Sequence, residues 1–218
     1  MKTRTLFSLL LIASFMLTIS CKKSNDITGG LGGQTDITLT QLGNESMVYI
    51  EGSPNPAIMT VIQNDDGTVI YKIAFDLTGR SDSALLTSLI PPKFLDNQNR
   101  INLNLHLKIT SEGYQDADKP FIIVKYDSKV GDRYSYTTPE GQTLVRTVTQ
   151  KSTEDDFLWN FMLIKTITVE QTTFNPDLAN LVTKYTYVAN HRFGMVYFQA
   201  DLKTGGKIKM NIVPQFSL

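Results

Sequence analysis

The chain has few residues of the kinds that bind metals or carry out catalysis. Its 218 residues include one cysteine, Cys21, one tryptophan, Trp159, and two histidines, His106 and His191. A single cysteine excludes an intramolecular disulfide, and two separated histidines do not make a metal-ligand pattern. Stability must therefore come from an apolar core, and we expect no metal or other cofactor.

Motifs of the common enzyme classes are also missing. The sequence contains no Gly-x-Ser-x-Gly elbow, no His-Glu-x-x-His pair and no phosphate-binding glycine loop. His106 occupies a polar position in a strand-like segment, and His191 lies in a turn-like segment before Gly194. We expect both histidines to be structural, no catalytic residue among them, and a protein that is not an enzyme.

Neither sign of charge predominates, since the chain has 21 basic and 21 acidic side chains. The absence of a basic stripe argues against a nucleic-acid partner. Acidic residues cluster in three segments, Asp65-Asp66, Asp116–Asp118 and Glu154–Asp156. Paired carboxylates would serve a glycoside hydrolase, and oxygen ligands would suit calcium, although the spacing of an EF-hand loop is absent. The other interpretation is that these acids lie in solvated turns.

The first 21 residues have the pattern of a bacterial export signal. Lys2 and Arg4 precede an apolar run, residues 6–17, that is too short to span a membrane. The segment Thr18-Ile19-Ser20-Cys21 then resembles the lipobox of bacterial lipoproteins, with Thr18 where leucine is usual. The resemblance implies that residues 1–20 are a cleaved signal peptide and that Cys21 is the lipidation site. An ordinary secretory signal with an unrelated cysteine is the alternative.

A lipid on Cys21 implies a membrane-attached protein of the cell envelope, with the outer membrane favoured, as in lipoproteins of the Bacteroidetes type. Lys22, Lys23 and Asp26 loosely resemble a surface-export signal, so the surface and the periplasmic face both stay open. Residues 21–35 include four glycines and are predicted to be a flexible tether. Asp82-Ser83-Ala84 resembles an O-glycosylation motif of exported proteins, which makes Ser83 the candidate acceptor.

The remaining residues, 36–218, have the pattern of a mainly β domain. Apolar and polar residues alternate from Ile101 to Ile109, which is the period of a half-buried strand. Three turn signals between strand-like segments predict hairpins: these are Asp65–Gly67, Pro139–Gly141 and Thr204–Gly206. We predict further strands at 161–170 and 181–188 and short helices at 81–90 and 175–180. The pattern predicts an antiparallel sandwich or a curved half-barrel sheet with one or two short helices. A seam near 127–130 divides it into two halves.

Aromatic residues are the candidate ligand contacts. Tyr134 and Tyr136 share one face of a predicted strand, and Trp159 lies next to an acidic segment. Aromatic rows on a sheet stack on sugar rings or line apolar grooves. Packing in the core or between neighbouring strands is the alternative, and the sequence leaves both open.

The C-terminal half resembles a loose group of bacterial envelope lipoproteins. The matching segments are Gly131–Tyr136, which contains Gly-Asp-x-aromatic-x-Tyr, and Tyr187–Val196, which contains an aromatic residue, an alanine, a glycine and a valine. That group is similar to curved half-barrel sheets, some of which carry lipoprotein or lipid cargo. The resemblance implies a fold, which does not by itself fix a function.

The sequence thus predicts an envelope lipoprotein that binds a ligand or partner without catalysis. The expected partners are the membrane, through the lipid on Cys21, and an unidentified glycan, lipid or protein. A carboxylate-dependent glycoside hydrolase is one alternative. A structural or adhesion component of a surface assembly, whose edge strands pair with neighbours, is the other.

Overall fold

A computed structural model describes residues 31–79, 83–84, 87, 94–98 and 100–215. Strands account for 56% of the structure and helical residues for 5%, so the prediction of a mainly β fold is confirmed. The helix predicted at 81–90 lies largely outside the described residues, and the predicted signal peptide and Cys21 lie wholly outside them.

Fourteen strands are present in the described part of the chain. In chain order they are β1 (Glu45–Ile50), β2 (Ala57–Asp65), β3 (Thr68–Asp76), β4 (Arg100–Thr110), β5 (Gly113–Asp116), β6 (Phe121–Lys125), β7 (Arg133–Thr137), β8 (Thr143–Lys151), β9 (Phe157–Trp159), β10 (Met162–Ile164), β11 (Ile167–Gln171), β12 (Val182–Asn190), β13 (Gly194–Leu202) and β14 (Lys207–Pro214). A single helical turn, Pro176–Ala179, matches the short helix predicted at 175–180.

Twelve of these strands form one antiparallel sheet in the order β6-β5-β4-β3-β2-β1-β14-β13-β12-β11-β8-β7. Strands β1 and β14, the first and last along the chain, pair from Ser46 opposite Pro214 to Ile50 opposite Met210. This pairing joins the two halves of the chain. The sheet curls until it is nearly closed and barrel-like. Its outermost strands, β6 and β7, contact each other without a hydrogen-bonded ladder. The predicted seam at 127–130 falls in the loop between them.

Because neighbouring strands are antiparallel, their connections alternate between the two ends of the barrel. We call one the lower end, where the chain enters the barrel. It carries residues 31–44 and the connections 66–67, 111–112, 126–132, 152–166 and 191–193. The opposite, upper end carries the connections 51–56, 77–99, 117–120, 138–142, 172–181 and 203–206.

The predicted tether, 21–35, is shorter than expected because its last residues pack on the lower end. Leu31 is buried in the main core cluster. The backbone N–H of Gln34 donates to Ser111 Oγ at 2.9 Å, and the Ser111 N–H donates to the Gln34 carbonyl at 2.8 Å. Residues 31–35 therefore belong to the folded body.

Local turn chemistry explains the hairpins that the sequence predicts. Asp66 and Gly67 adopt φ values of 50° and 79°, the left-handed pair that a two-residue turn requires. The turns at Pro139–Gly141 and Thr204–Gly206 also join paired strands, as predicted. The Ile101–Ile109 segment lies within β4, and the strand predicted at 181–188 is β12.

The strand predicted at 161–170 is wrong, since two strands and a turn occupy that segment. Asn160 and Phe161 turn the chain with φ values of 41° and 71°, and β9 and β10 form a separate two-stranded hairpin. The main sheet resumes only at Ile167. A phenylalanine in a left-handed turn is unusual, so the uninterrupted apolar pattern indicated a strand instead.

The core fills the lower half of the barrel. Inward-facing residues of six strands are almost completely buried there: these are Val61, Val69, Ile109, Val124, Val148 and Val169. Strand β6 is buried on both faces, from Phe121 to Val124. An edge strand with two buried faces needs partners for its backbone groups, because water does not reach them.

Candidate functional site

Around the middle of the barrel, apolar side chains on the inner face keep accessible surface. On β4, Leu103 is half-buried and Leu105 is 38% exposed, although both face inward opposite Ile73 and Tyr71. On the opposite wall Phe198 lies between Met210 and Tyr187 in the ladder, and all three are half-buried. We call this set the inner apolar surface, and it comprises Met59, Ile73, Leu103, Leu105, Tyr187, Phe198 and Met210.

The inner apolar surface lies between two separate core clusters. One contains Val48, Phe75 and Ile101, on the side of β1 to β4. The other contains Phe174 and Leu202, on the side of β11 to β13. Met59, Ile73, Leu103 and Met210 pack against the first cluster, and Phe198 packs against the second. The inner apolar surface thus lies between these upper clusters and the packed lower core.

Two tyrosines and a phenylalanine form the aromatic part of this wall. The Tyr187 and Phe198 rings lie 5.4 Å apart, and the Tyr185 ring lies 5.2 Å from Phe198. Burial raises the pKa of Tyr187 and raises that of Tyr185 to about 12. These rings therefore lie deep in the molecule while still bordering accessible space.

A buried arginine on β8 lies beside the aromatic wall. Arg146 is 6% exposed and faces inward between Leu144 and Val148. Its Nε donates to Gln171 Oε1 at 2.8 Å. Its guanidinium lies over the Phe121 ring, 3.8 Å from the centroid, and 5.0 Å from that of Tyr187. The second terminal nitrogen, Nη2, makes one long contact of 3.5 Å with the Tyr187 hydroxyl.

Arg146 also binds the free edge of β6. Its Nη1 donates to the carbonyl oxygens of Phe121 and Ile122, both at 3.0 Å. No carboxylate of the described residues forms an ion pair with it. The charge is balanced instead by carbonyl dipoles, an amide oxygen and aromatic faces. The guanidinium thus donates hydrogen bonds to the edge of β6, where no neighbouring strand supplies backbone donors.

Two of the three predicted stacking residues are buried. Trp159 is 4% exposed, its Nε1 donates to the Ile212 carbonyl at 3.1 Å, and its ring lies 4.7 Å from Phe193. Tyr134 is 3% exposed, and its hydroxyl donates to Ser128 Oγ and accepts the Lys125 N–H. The predicted ligand-stacking role therefore does not fit these two residues. Trp159 packs beneath the β9–β10 hairpin, and Tyr134 forms hydrogen bonds that close the seam.

Tyr136, the third, differs from them because it keeps accessible surface. It faces inward and is half-buried, and its ring stacks on Phe121 at 5.9 Å. Phe121 in turn lies under the Arg146 guanidinium. Tyr136 is thus the residue of the predicted aromatic set that lies close to the inner apolar surface.

The outer face of the sheet carries a separate, polar groove of about 480 Å³. It crosses β8, β11, β12, β13 and β14, with Phe157 of the β9–β10 hairpin at one side. Its lining residues are Thr149, Gln150, Phe157, Thr168, Glu170, Thr186, Val188, Tyr197 and Asn211. Glu170 accepts a hydrogen bond from Lys184 at 3.0 Å, and Tyr197 donates to Gln199 at 2.6 Å. Hydroxyl, amide and carboxylate groups beside two aromatic rings suit a polar ligand such as a sugar.

The acidic clusters and His106 make local contacts. Asp66 accepts a hydrogen bond from Thr35, Asp116 accepts two backbone N–H groups, and Asp156 accepts the Ser152 hydroxyl. His106 lies 3.0 Å from Asp118 on the outer surface, and His191 lies in the β12–β13 turn, as predicted. In the described part of the chain, no group of three or more His, Cys, Asp or Glu residues could hold a metal ion.

The two segments that resemble envelope lipoproteins have structural roles. Gly131 donates its N–H to the Val148 carbonyl where the chain enters β7. Gly194, with φ of 73°, begins β13, and a Cβ there would lie 2.0 Å from the Tyr114 hydroxyl. Ser83 is half-buried and helical within the upper connection, and its glycosylation stays a prediction.

Sequence reasoning missed Arg146, although a signal was present. Leu144, Arg146 and Val148 occupy alternate positions of one strand, which places a charge on the apolar face.

Comparison with protein-family models, with curated proteins and with solved structures finds no match for the chain. Over the described residues, no helix has the length and apolar character needed to cross a membrane.

Proposed function

We propose that the protein is a lipid-anchored envelope lipoprotein, attached to the outer membrane through Cys21, that binds an apolar ligand on its inner apolar surface. The export-signal pattern of residues 1–21 supports the location. The observation that carries the binding role is the partly accessible inner apolar surface, with Leu105 on one wall and Phe198 on the other, above a fully packed lower core.

Packing density supports this interpretation. Protein interiors are normally filled, because accessible space inside them loses dispersion contacts and exposes apolar groups to water. A barrel of about eight strands either fills with side chains or holds one small ligand, and the diameter grows with the number of strands, of which this sheet has twelve. Inward-facing apolar side chains that keep accessible surface, such as Leu105 and Met210, are typical of the second case.

The polar groups beside this surface favour a ligand with one polar end. Arg146 and Tyr187 lie at one side of an otherwise apolar wall, and Nη2 of Arg146 makes only a long hydrogen bond to the protein. A carboxylate also lies near this end of the wall, since Asp116 pairs with Leu107 and its charge contributes to the raised pKa of Tyr187. A molecule with an apolar body and one polar group fits this arrangement.

Titration with the neutral apolar dye N-phenyl-1-naphthylamine tests the proposal. We expect its fluorescence to rise on binding, and Leu105→Asn to weaken that binding about tenfold or more, because a leucine contact is replaced by a polar group. Ile58→Asn is the matched control, since Ile58 is 47% exposed and faces outward. Equal dye affinity in the wild type and in the Leu105 variant, with both folded, would contradict the proposal.

The outer groove supports glycan binding as a second candidate function. Glu170 and Asn211 present acceptors and donors near the Phe157 and Tyr197 rings. Calorimetric titration with cell-wall and plant oligosaccharides, comparing Glu170→Gln with Glu51→Gln, tests this candidate. Both glutamates contact a lysine, Lys184 and Lys209 respectively, and only Glu170 lines the groove. Loss of glycan binding in both variants, or in neither, would count against the groove.

A further inference from the structure

Exposed apolar side chains concentrate at the lower end of the barrel. The β9–β10 hairpin presents four of them, and the connections at 41–44 and 126–132 add one each. With their exposed fractions they are Leu158 (72%), Phe161 (100%), Met162 (44%), Leu163 (57%), Leu42 (73%) and Val130 (60%). In the described residues of the upper connections, no large apolar side chain is exposed to a comparable degree. Among the described residues, the most exposed apolar side chains therefore lie at the lower end.

The hairpin has two different faces. Its inner face fixes it to the outside of the barrel, where Trp159 and Ile164 pack on Val188 and Val196. Its outer face carries the cross-strand pair Leu158 and Leu163. The turn at Asn160 leaves the Phe161 side chain completely exposed. A rigidly held hairpin thus displays a leucine pair and a phenylalanine to solvent.

The start of the folded body links this hairpin to the proposed lipid anchor. Leu31 is buried at the lower end, and nine residues, 22–30, lie between it and Cys21. A chain of that length reaches at most about 35 Å when fully extended. A lipid on Cys21 would therefore favour the lower end, where the tether begins, as the end next to the bilayer.

We propose that the β9–β10 hairpin is a second membrane contact, with Leu158, Phe161 and Leu163 entering the interfacial region of the bilayer to which Cys21 is attached. The inference rests on the lipid anchor of the proposed function. The anchor makes hairpin insertion an intramolecular step with a high effective concentration, so a small apolar surface is sufficient. The upper half of the barrel, with its inner apolar surface, then faces away from the membrane.

Charge specifies the kind of bilayer surface that fits. In the connections 126–132 and 152–166, two basic residues, Lys129 and Lys165, are outnumbered by five acids: Asp127, Asp132, Glu154, Asp155 and Asp156. These acids oppose attraction to anionic headgroups. The contact is therefore driven by apolar burial, and we expect it on neutral phosphatidylcholine vesicles with little dependence on salt.

Depth-dependent quenching on the lipidated, full mature protein tests the proposal. In that form the Cys21 sulfur is alkylated, so a cysteine introduced by Phe161→Cys is the free thiol and accepts an environment-sensitive NBD fluorophore. Thr204→Cys is the matched control, because Thr204 is exposed in an upper connection. On phosphatidylcholine vesicles we expect blue-shifted emission from position 161 and quenching by nitroxide groups on the acyl chains. The label at position 204 should stay in water.

The possible outcomes distinguish failure of the hairpin contact from failure of the lipid anchor. Intact mass and vesicle flotation first establish that the protein carries its lipid. If lipidated protein floats with the vesicles but both labels stay equally water-exposed, the hairpin contact is overturned and the anchor stands. If the mass shows no lipid, the anchor fails, and the hairpin proposal fails with it. Blue-shifted emission at position 161 before vesicles are added would mean that a second copy of the chain covers the hairpin, which also overturns the proposal.

Discussion

The guanidinium of Arg146 lies 3.8 Å above the Phe121 ring and also donates to the carbonyl oxygen of the same residue. The Arg146 side chain thus contacts both the backbone and the ring of Phe121, in β6, which would otherwise be an open edge of the sheet. Lys151 makes a related connection, since its Nζ donates to the carbonyls of Tyr126 and Ser128 at 2.9 and 2.7 Å. Side chains therefore close the barrel at the seam where no strand ladder does.

Arg146→Met should destabilise the protein by about 2–5 kcal/mol, because the carbonyls of Phe121 and Ile122 and the Gln171 amide lose their donor in a buried place. Urea unfolding measures the change. Arg192→Met is the control, since Arg192 is exposed in a turn, and it should shift stability by less than about 0.5 kcal/mol. Amide exchange in β6 should also accelerate in the Arg146 variant. Unchanged stability and exchange would disprove its role at the seam.

Trp159→Ala should cost about 3–5 kcal/mol of stability, because the ring is buried under the hairpin and its indole N–H is hydrogen-bonded. Leu158→Ala, one residue away and 72% exposed, should cost less than about 0.5 kcal/mol. Thermal and urea unfolding compare the two. If Trp159→Ala left stability intact but abolished ligand binding, the stacking interpretation would be restored.

Gly194→Ala should be much more damaging than Gly205→Ala, although both glycines have positive φ, 73° and 86°. The backbone strain alone costs about 1–2 kcal/mol at either position. At Gly194 the new Cβ would also lie 2.0 Å from the Tyr114 hydroxyl, whereas at Gly205 it meets open space. Combining Gly194→Ala with Tyr114→Phe should recover part of the loss. Equal unfolding midpoints for the two single variants would refute this contact.

Stability should fall at alkaline pH as buried tyrosines ionise. Burial raises the pKa of Tyr185 to about 12, and it raises the pKa values of Tyr71 and Tyr114 as well. An unfolded tyrosine has a pKa of about 10. The stabilisation from a raised tyrosine pKa is complete below pH 10, and for Tyr185 it is lost progressively as pH rises from 10 to about 12. Unfolding free energies across this window, with tyrosinate absorbance recorded in parallel, test the prediction, and a flat profile would contradict it.

Cys21→Ser should abolish lipidation and leave the protein uncleaved or soluble. The reason is that Cys21 is the only thiol of the chain and follows an export-type apolar run. Membrane fractionation with intact mass measures both effects, and the same mass spectrum of the wild type reports a glycan on Ser83. Normal membrane partitioning of the variant would contradict the lipoprotein interpretation.

The parts of the fold that depend on neighbouring residues were predictable, and those that depend on distant ones were not. Asp66-Gly67 and the alternation from Ile101 to Ile109 are local signals, and both appear in the structure. The pairing of β1 with β14 and the burial of β6 depend on how the whole sheet curls. A single sequence does not encode that curvature in any short pattern.

The candidate site was less predictable for the same reason. The sequence places Tyr136 and Arg146 on apolar-facing positions but does not show that the upper barrel leaves space beside them. Trp159 was identified as notable, yet its burial follows from a hairpin whose turn, Asn160-Phe161, has a phenylalanine where glycine is usual. The packing of Leu31 also depends on contacts with a distant part of the chain.

The pairing of β1 with β14 has a consequence for how the chain folds while it is being synthesised. β1 is among the first parts of the body to be synthesised, and one of its edges has no partner until β14 follows, about 160 residues later. Until then the growing sheet presents an unpaired strand of Glu45–Ile50, of the kind that pairs with other chains. Release of the C-terminal strand is therefore the step that commits the chain to its own fold rather than to aggregation.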